Sequence, residues 1–186
     1  MRTEALLDCL ACNPVIAAVQ QERLQAALEA PVSIIFHLGI NLMDAEAVIS
    51  QVHNAGKYIF VHIDLAEGIG KDRSGIRYLA QCGVDGIIST KSQLIRYAKE
   101  QNLITVQRFF ALDSRGVDSI GEMARNTNPH LMEIMPGVIG KILSRFSSGS
   151  IPVIAGGLIQ TKSEVTEALG CGAAAVSTGS PELWYL

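Results

Sequence analysis

Residues 152–180 read PVIAGGLIQTKSEVTEALGCGAAAVSTGS, and this stretch decides the fold. Two short apolar runs, Pro152–Ala155 and Ala173–Ser177, enclose a segment that carries helix signals. Thr161 and Glu164 have the spacing of a capping box, which marks the beginning of a helix, and a glycine follows the last apolar position. A strand, a helix and a second strand in this order predict two parallel strands joined by a right-handed crossover.

The same unit recurs along the chain. Runs of this kind are rich in Val and Ile, as is typical of parallel strands that are buried on both faces. Eight such runs are found, at Val15–Val19, Val32–Leu38, Tyr58–Asp64, Gly86–Thr90, Ile104–Phe110, Leu131–Met135, Pro152–Ala155 and Ala173–Ser177. Between them, N-capping residues predict that helices begin at Asp44, at Thr90 or Ser92, and at Asp113 or Ser114.

Eight strand–helix units favour a closed barrel. We therefore predict an α/β fold, a compact (β/α)8 TIM-barrel-like parallel barrel with short loops, which forms a single domain over residues 1–186. An open, doubly wound sheet is the alternative. The sequence also repeats itself: Cys82-Gly83 leads through an apolar run to Ser89, as Cys171-Gly172 leads to Ser177.

The composition limits the class of protein. Fifteen Lys and Arg against 18 Asp and Glu give a net charge of −3, which argues against a protein that mainly coats nucleic acid. No apolar run approaches the roughly 20 residues of a membrane helix, and Glu4 and Asp8 interrupt any apolar signal segment at the N-terminus. The four cysteines are scattered and are interpreted as reduced thiols. We expect a cytoplasmic protein with no membrane partner.

The loops after the last two strands have the residues of an anion site. Gly156 and Gly157 follow strand seven, and Ser177, Thr178 and Gly179 end strand eight. Glycine lets backbone N–H groups approach a phosphate closely, and these two loops are the frequent phosphate site of TIM barrels. The alternative is that the glycines serve only tight turns.

Charged residues lie at other strand ends. Asp64 and Glu67 follow strand three, and Glu133 lies among apolar residues in strand six. A carboxylate buried at such a position requires a partner, and the candidates are Lys91 and Arg108. These groups are interpreted either as a structural salt-bridge network or as the residues that hold the hydroxyl groups and phosphate of a ligand.

Other kinds of chemistry receive little support. The spacing of the His and acidic residues does not indicate a metal site. Binding of a divalent cation by Asp64, Glu67 and Glu133 is kept as an alternative. No nucleophile–base arrangement and no cofactor motif is found, so neither catalytic residues nor a cofactor are predicted. The basic, glycine-rich stretch Glu67–Gly75 is interpreted as a solvated loop, with a lid over the ligand as the alternative.

Six motifs together resemble the glycerol uptake operon antiterminator regulatory proteins. In chain order they are HIDLAEG at 62–68, DGIISTKS at 85–92, TVQRFF at 105–110, EIMPG at 133–137, IAGGLI at 154–159 and STGSPELW at 177–184. The resemblance covers nearly the whole chain. It implies a TIM barrel that binds glycerol 3-phosphate and acts on the leader mRNA of glycerol-utilisation genes.

The resemblance also implies a set of ligand-binding residues. They are Asp64, Glu67, Lys91, Arg108, Glu133, Lys141, Gly156, Gly157, Ser177, Thr178 and Gly179. The family pattern has a Pro before the Lys at position 141, where this chain has Gly140. An RNA-binding surface is predicted on Lys71, Arg73, Arg77, Arg96 and Lys99, which are otherwise ordinary surface charges.

Two other functions are compatible with the same residues. The first is a barrel enzyme that acts on a phosphorylated triose or polyol, as an isomerase, an aldolase or a phosphodiesterase-like hydrolase. The second is a metabolite-binding scaffold that acts through a protein partner. We favour the non-catalytic sensor, and the sequence leaves the oligomeric state open, a homo-oligomer included.

Overall fold

The computed structural model describes residues 3–186, in which eight strands alternate with helices. Strands β1 to β8 span Val15–Val19, Ile34–His37, Tyr58–His62, Gly86–Ser89, Ile104–Phe110, Leu131–Met135, Val153–Gly156 and Ala175–Thr178. Helices α1 to α8 span Thr3–Cys12, Leu24–Glu29, Ala45–Asn54, Arg73–Gln81, Ser92–Glu100, Ser114–Thr127, Gly140–Ser147 and Lys162–Gly170. Short 3-10 turns lie at Gln21–Arg23, Ile63–Leu65 and Pro181–Tyr185.

The strands form a closed barrel in chain order. Each strand pairs in parallel with the next, and β8 pairs with β1, with Ile16 beside Ser177. The predicted (β/α)8 barrel is therefore confirmed, and the open-sheet alternative is wrong. Because side chains alternate along a strand, every strand sends one set of residues into the barrel and the other set toward the helices.

Helix α1 was not predicted, and it closes the barrel from below. Its Leu6 and Leu10 are almost fully buried and pack with residues that begin the strands, such as Ile34 and Ile104. Their i, i+4 spacing places both leucines on one face of the helix. The lower half of the barrel interior is therefore a packed apolar core, and the cavity inside the barrel lies at the upper, carboxyl ends of the strands.

Several element boundaries correct the sequence predictions. Strand β3 ends at His62, so Asp64 lies in the following 3-10 turn and not in the strand. Helix α4 begins at Arg73, which makes the loop after β3 shorter than the predicted Glu67–Gly75. Asp44 precedes α3, but its side chain makes no capping hydrogen bond.

Other helix beginnings agree with the sequence. Asp113 caps α6 by accepting a hydrogen bond from the Gly116 N–H at 2.7 Å. The Thr161–Glu164 capping box begins α8, with both reciprocal hydrogen bonds formed. These caps fix where each helix leaves the barrel mouth, and hence where its loop residues lie.

Candidate ligand-binding site in the barrel mouth

The uppermost layer inside the barrel is polar. Arg108 of β5 and Glu133 of β6 are register partners, and Ser177 of β8 faces the same interior. Arg108 Nε donates to Glu133 Oε2 at 2.6 Å, and Ser177 Oγ donates to Glu133 Oε1 at 2.6 Å. Glu133 has no exposed surface, so its charge is buried and satisfied by these two partners. Arg108 is thus the partner that the buried carboxylate required.

A small cavity lies directly above this layer. It has a volume of about 180 Å³ and is lined by Arg108, Glu133 and Ser177 below, and by the loops after β7 and β8 above. Among the described residues, the terminal Nη groups of Arg108 have no acceptor, although the side chain is only 8% exposed. A buried guanidinium that donates one hydrogen bond to Glu133, and whose other N–H groups face a cavity, is suited to hold an anion.

Glycine at position 156 is required by close packing. A Cβ atom there would lie 2.5 Å from Glu133 Oε1 and 2.8 Å from Ser177 Oγ, which is closer than real Cβ contacts. Any side chain would therefore displace the hydrogen-bonded carboxylate. The two glycines after β7 thus have different roles. Gly156 leaves space for the Glu133 carboxylate, and Gly157 allows the turn.

The chain then turns sharply at the edge of the cavity. Gly157 and Leu158 both have positive φ, of 74° and 62°. For Leu158 this conformation is unusual, because its Cβ crowds the backbone, and its side chain is 67% exposed. Strained residues of this kind are concentrated at ligand sites, where the surrounding structure enforces the backbone geometry.

The loops after β7 and β8 are held together by Thr178. Its Oγ1 donates to the Ile159 carbonyl at 2.8 Å and accepts from the Ser180 N–H at 3.1 Å. Trp184 Nε1 donates to the Thr178 carbonyl at 2.9 Å. Gly157, Thr178 and Gly179 line the same cavity, but the Thr178 hydroxyl is already committed to the two loops.

Asp64 and Lys91 lie at a neighbouring part of the mouth. The Asp64 carboxylate accepts from Ser89 Oγ at 2.7 Å and from the Thr90 N–H and Oγ1, both at 2.8 Å. Burial alone would raise the pKa of Asp64, but these hydrogen bonds outweigh it and hold the pKa below its usual range. Lys91 follows as the exposed residue before α5. Ser89 and Ser177, which occupy equivalent positions in the repeated sequence, each donate a hydrogen bond to a carboxylate of the mouth.

The other two predicted ligand residues lie elsewhere. Glu67 is exposed and accepts from Asn41 Nδ2 at 3.3 Å, beside a separate polar cavity of about 430 Å³ over the first three loops. Lys141 lines a third cavity, also of about 430 Å³, on the outer side of the barrel between α6 and α7. The predicted set of ligand residues is thus divided, and only part of it surrounds the cavity above Arg108.

Most of the predicted RNA-binding cations have intramolecular partners. Lys71 Nζ donates to the carbonyls of Ala66 and Ile69, and Lys99 Nζ donates to the Asn128 carbonyl at 2.7 Å. Arg73 pairs with Glu100 at 2.9 Å and lies over the Tyr97 ring. Arg77 and Arg96 are exposed and have no such partner among the described residues. Three of the five predicted cations are therefore engaged in intramolecular contacts, and Arg77 and Arg96 are the exposed remainder.

Two histidines near the mouth are buried. His62 ends β3, and its Nδ1 has no hydrogen-bond partner among the described residues. Burial and the nearby Arg108 guanidinium hold the pKa of His62 below its usual range. Burial lowers the pKa of His37 to about 4, against an opposing effect of Glu22. Both rings are therefore neutral at pH 7.

Arg23 is a candidate that sequence reasoning missed. It lies in the 3-10 turn after β1, and its Nη1 donates to the Gly179 carbonyl at 2.6 Å, 156 positions along the chain. Ala18, Leu38 and Met135 were also missed, and they form apolar walls of the cavity. No local pattern marks these residues, because only barrel closure brings the loop after β1 beside the loop after β8.

The arrangement suits a small anionic metabolite. Ligand pockets for drug-sized molecules have volumes of about 300–1,000 Å³, so a cavity of about 180 Å³ fits a smaller compound. In residues 3–186 no three His, Cys, Asp or Glu side chains are grouped so that they could hold a metal ion. None of the helices described is both long and apolar enough to cross a bilayer.

Comparison with known proteins identifies the family. Residues 15–184 match the family described as glycerol-3-phosphate responsive antiterminator. The uncharacterized protein YgcP of Escherichia coli (strain K12) is 34% identical over 184 residues, which cover 97% of this chain and 96% of YgcP.

Two crystal structures have closely similar folds. The glycerol uptake operon antiterminator regulatory protein from Listeria monocytogenes str. 4b F2365 is 30% identical with a TM-score of 0.88, over 92% of this chain and 95% of that one. A glycerol uptake operon antiterminator-related protein from Thermotoga maritima MSB8 is 29% identical with a TM-score of 0.83, over 91% and 96% of the two chains. This chain therefore belongs to the glycerol-3-phosphate responsive antiterminator family.

Proposed function

We propose that this protein binds glycerol 3-phosphate in the cavity of the barrel mouth, and that the bound form acts as a transcription antiterminator. Its partner would be the leader mRNA of glycerol-utilisation genes, in the cytoplasm where that transcript is made. The ligand would be sensed and not consumed. Family membership supports this function, and the cavity above Arg108 supports the place where the ligand binds.

One observation carries the ligand assignment. Arg108, buried against Glu133, keeps free Nη donors in a small cavity whose other wall is the Gly157 turn. The phosphate would take these donors and the backbone N–H groups of the loops after β7 and β8, as phosphates do at this edge of TIM barrels. Arg23 lies beside Gly179 and would add a second positive charge.

The glycerol end would meet the carboxylate. A polyol hydroxyl donates to carboxylate oxygens, and because Glu133 has no exposed surface, the ligand hydroxyl would replace the Ser177 hydroxyl at Oε1. Inorganic phosphate lacks the carbon chain, and glycerol lacks the anion. The ester should therefore bind more tightly than either part.

Binding would also couple the loops of the mouth. Phosphate held at Gly157 and Gly179 would add a second connection between two loops that the Thr178 hydroxyl already links. A ligand that binds one arrangement of the loops more tightly shifts the population toward it. We propose that this arrangement is the RNA-competent one.

Thermal unfolding and phosphorus NMR together test the proposal. Saturating glycerol 3-phosphate should raise the unfolding temperature by mass action, whereas glycerol and inorganic phosphate at equal concentration should raise it less. The 31P spectrum of the ligand should not change on prolonged incubation, with or without Mg2+. Conversion of the ligand would instead indicate a barrel enzyme, and an unchanged unfolding temperature would contradict binding.

A further inference from the structure

A trench runs between helices α6 and α7 on the outside of the barrel. Two cavities of about 430 and 450 Å³ lie along it, and both have the Asp118–Arg145 ion pair in their walls. We call it the α6–α7 trench and define it by Asp118, Gly121 and Arg125 on α6 and Lys141, Ile142 and Arg145 on α7. The proposed ligand site uses none of these residues.

Three basic and two acidic side chains line the trench. Lys141 lies at its upper end, Arg145 crosses the centre, and Arg125 lies at the lower end. Asp118 is neutralised by Arg145 at 2.8 Å, whereas Lys141 and Arg125 have no carboxylate partner among the described residues. Asp113 also lies in the upper wall, so the trench as a whole has an excess of one positive charge.

The floor of the trench is apolar. Ile142 lies in the upper half and Phe146 in the lower half, and both are about nine-tenths buried. The guanidinium of Arg145 lies 5.6 Å from the centre of the Phe146 ring, and its side chain is 53% exposed. A flat, half-exposed guanidinium is a surface on which a nucleobase stacks, while cations alongside it meet the phosphates.

Gly121 keeps the trench open. It lies in the middle of α6, where glycine is less stable than alanine by about 0.5–1 kcal/mol. A Cβ there would meet Arg125 Nη1 at 3.4 Å and the Phe146 ring at 3.9 Å, which are distances that a side chain tolerates. The fold therefore does not demand glycine at this position, yet a larger side chain would fill the space.

The upper wall of the trench is connected to the ligand cavity. The loop from β6 to α7 carries Gly137, whose N–H donates to the Gly156 carbonyl at 2.6 Å. A Cβ on Gly137 would lie 2.8 Å from the Gly156 nitrogen, so the two loops are in close contact. Two residues later, Ile139 lines the trench. Movement of the Gly156–Gly157 turn on ligand binding would thus be passed to the trench wall.

We propose that the α6–α7 trench docks a single-stranded segment of RNA, and that ligand in the barrel mouth adjusts its wall through Gly137. The inference rests on the proposed antiterminator function. A second copy of the chain fits less well, because a two-fold interface would set Arg125 and Lys141 against the same cations. The α4–α5 surface also fits less well, because none of the cavities described has Arg77 or Arg96 in its wall.

Retention of labelled total bacterial RNA by the purified full chain tests the inference. The measurement is made with and without saturating glycerol 3-phosphate on wild type and Gly121→Leu. Ala47→Leu, which adds one carbon atom fewer than Gly121→Leu does, is the control at an exposed position of α3. Arg77→Glu with Arg96→Glu reverses charge on the α4–α5 surface. Thermal unfolding and ligand affinity of each variant report whether the fold and the mouth are intact.

We expect Gly121→Leu to lower RNA affinity about tenfold, which corresponds to the loss of one stacked base, with ligand affinity and unfolding temperature retained. Ala47→Leu and the double Glu variant should bind RNA as wild type does. Wild-type affinity in Gly121→Leu, or loss confined to the double Glu variant, would overturn the trench assignment. Conversion of an oligomer to a monomer by Gly121→Leu would assign the trench to a second copy instead. If wild type retains no RNA in either condition, the antiterminator proposal is wrong, and the assignment of the trench as an RNA-binding site is wrong as well.

Discussion

Arg108 Nε and Glu133 Oε2 lie 2.6 Å apart inside the barrel, because β5 and β6 pair with these two residues in register. Ser177 of β8 completes the group from across the mouth. One buried carboxylate thus links three strands and forms the floor of the ligand cavity. The pair has two consequences, one for stability and one for binding, and variants can separate them.

Removing one member of the pair should destabilise the fold. Glu133→Ala leaves the Arg108 guanidinium buried without its counter-charge, and breaking a buried ion pair in this way costs about 3–5 kcal/mol. We expect the free energy of unfolding, measured by urea denaturation, to fall by that amount.

The matched control replaces both members by apolar residues. Arg108→Met with Glu133→Leu leaves no unpaired charge, and replacement of a whole buried pair is often neutral for stability. We expect most of the lost stability to return while ligand binding stays absent. A double variant as unstable as Glu133→Ala would show that the hydrogen bonds, and not the unpaired charge, are the main contribution.

A methyl group at position 156 should disturb the same carboxylate. In Gly156→Ala the new Cβ would lie 2.5 Å from Glu133 Oε1, and overpacking of this kind costs about 1–3 kcal/mol. Gly170→Ala is the control, because a Cβ there meets nothing within 4 Å. Urea denaturation should show a clear loss for the first variant and little change for the second. Equal effects would contradict the packing role of Gly156.

Leu158 offers a test of backbone strain. Its φ of 62° suits glycine, and a non-glycine residue in this conformation costs about 1 kcal/mol or more. We expect Leu158→Gly to be at least as stable as Leu158→Ala, although glycine usually loses more entropy on folding than alanine does. The comparison uses urea denaturation of the two variants. If the alanine variant is the more stable, the turn is not strained.

The buried His37 predicts a dependence of stability on pH. Its folded pKa of about 4 lies below the usual 6.5, so the unfolded chain binds more protons between these values. The contribution of His37 to the free energy of unfolding is therefore fully present above pH 6.5. It is lost as the pH falls toward 4, by about 1.4 kcal/mol per pH unit.

His37→Gln removes the titrating group, so its free energy of unfolding should change less steeply across this range. The measurement is urea denaturation at several pH values. A slope equal to that of wild type would show that other groups cause the acid sensitivity.

The barrel could be predicted from the sequence because short stretches of sequence mark each of its strands and most of its helices. Buried parallel strands read as apolar runs, and capping residues such as Asp113 and Thr161 mark the helices between them. Helix α1 gave no comparable signal, because Leu6 and Leu10 acquire their role only when a barrel exists to be closed. The boundary at Asp64 was missed for a similar reason, since its side chain is fixed by the next strand end at Ser89 and Thr90.

The site was only partly predictable. Residues inside strands, such as Arg108 and Glu133, have directions set by the strand period, so their meeting follows from the fold. Loop residues have no such constraint: Glu67 and Lys141 lie at other cavities, and Arg23 arrives beside Gly179 only through closure of β8 on β1. Tertiary contacts, and not local sequence, decide where these side chains lie.

Calorimetric titration of the chain with glycerol 3-phosphate tests the central claim most directly, with glycerol and inorganic phosphate titrated in parallel. The account predicts one saturable site per chain in wild type, tighter for the ester than for either part. It also predicts no binding to the folded Arg108→Met, Glu133→Leu variant. Undiminished binding by that variant, or no heat from wild type, would contradict the assignment of the ligand to the cavity above Arg108.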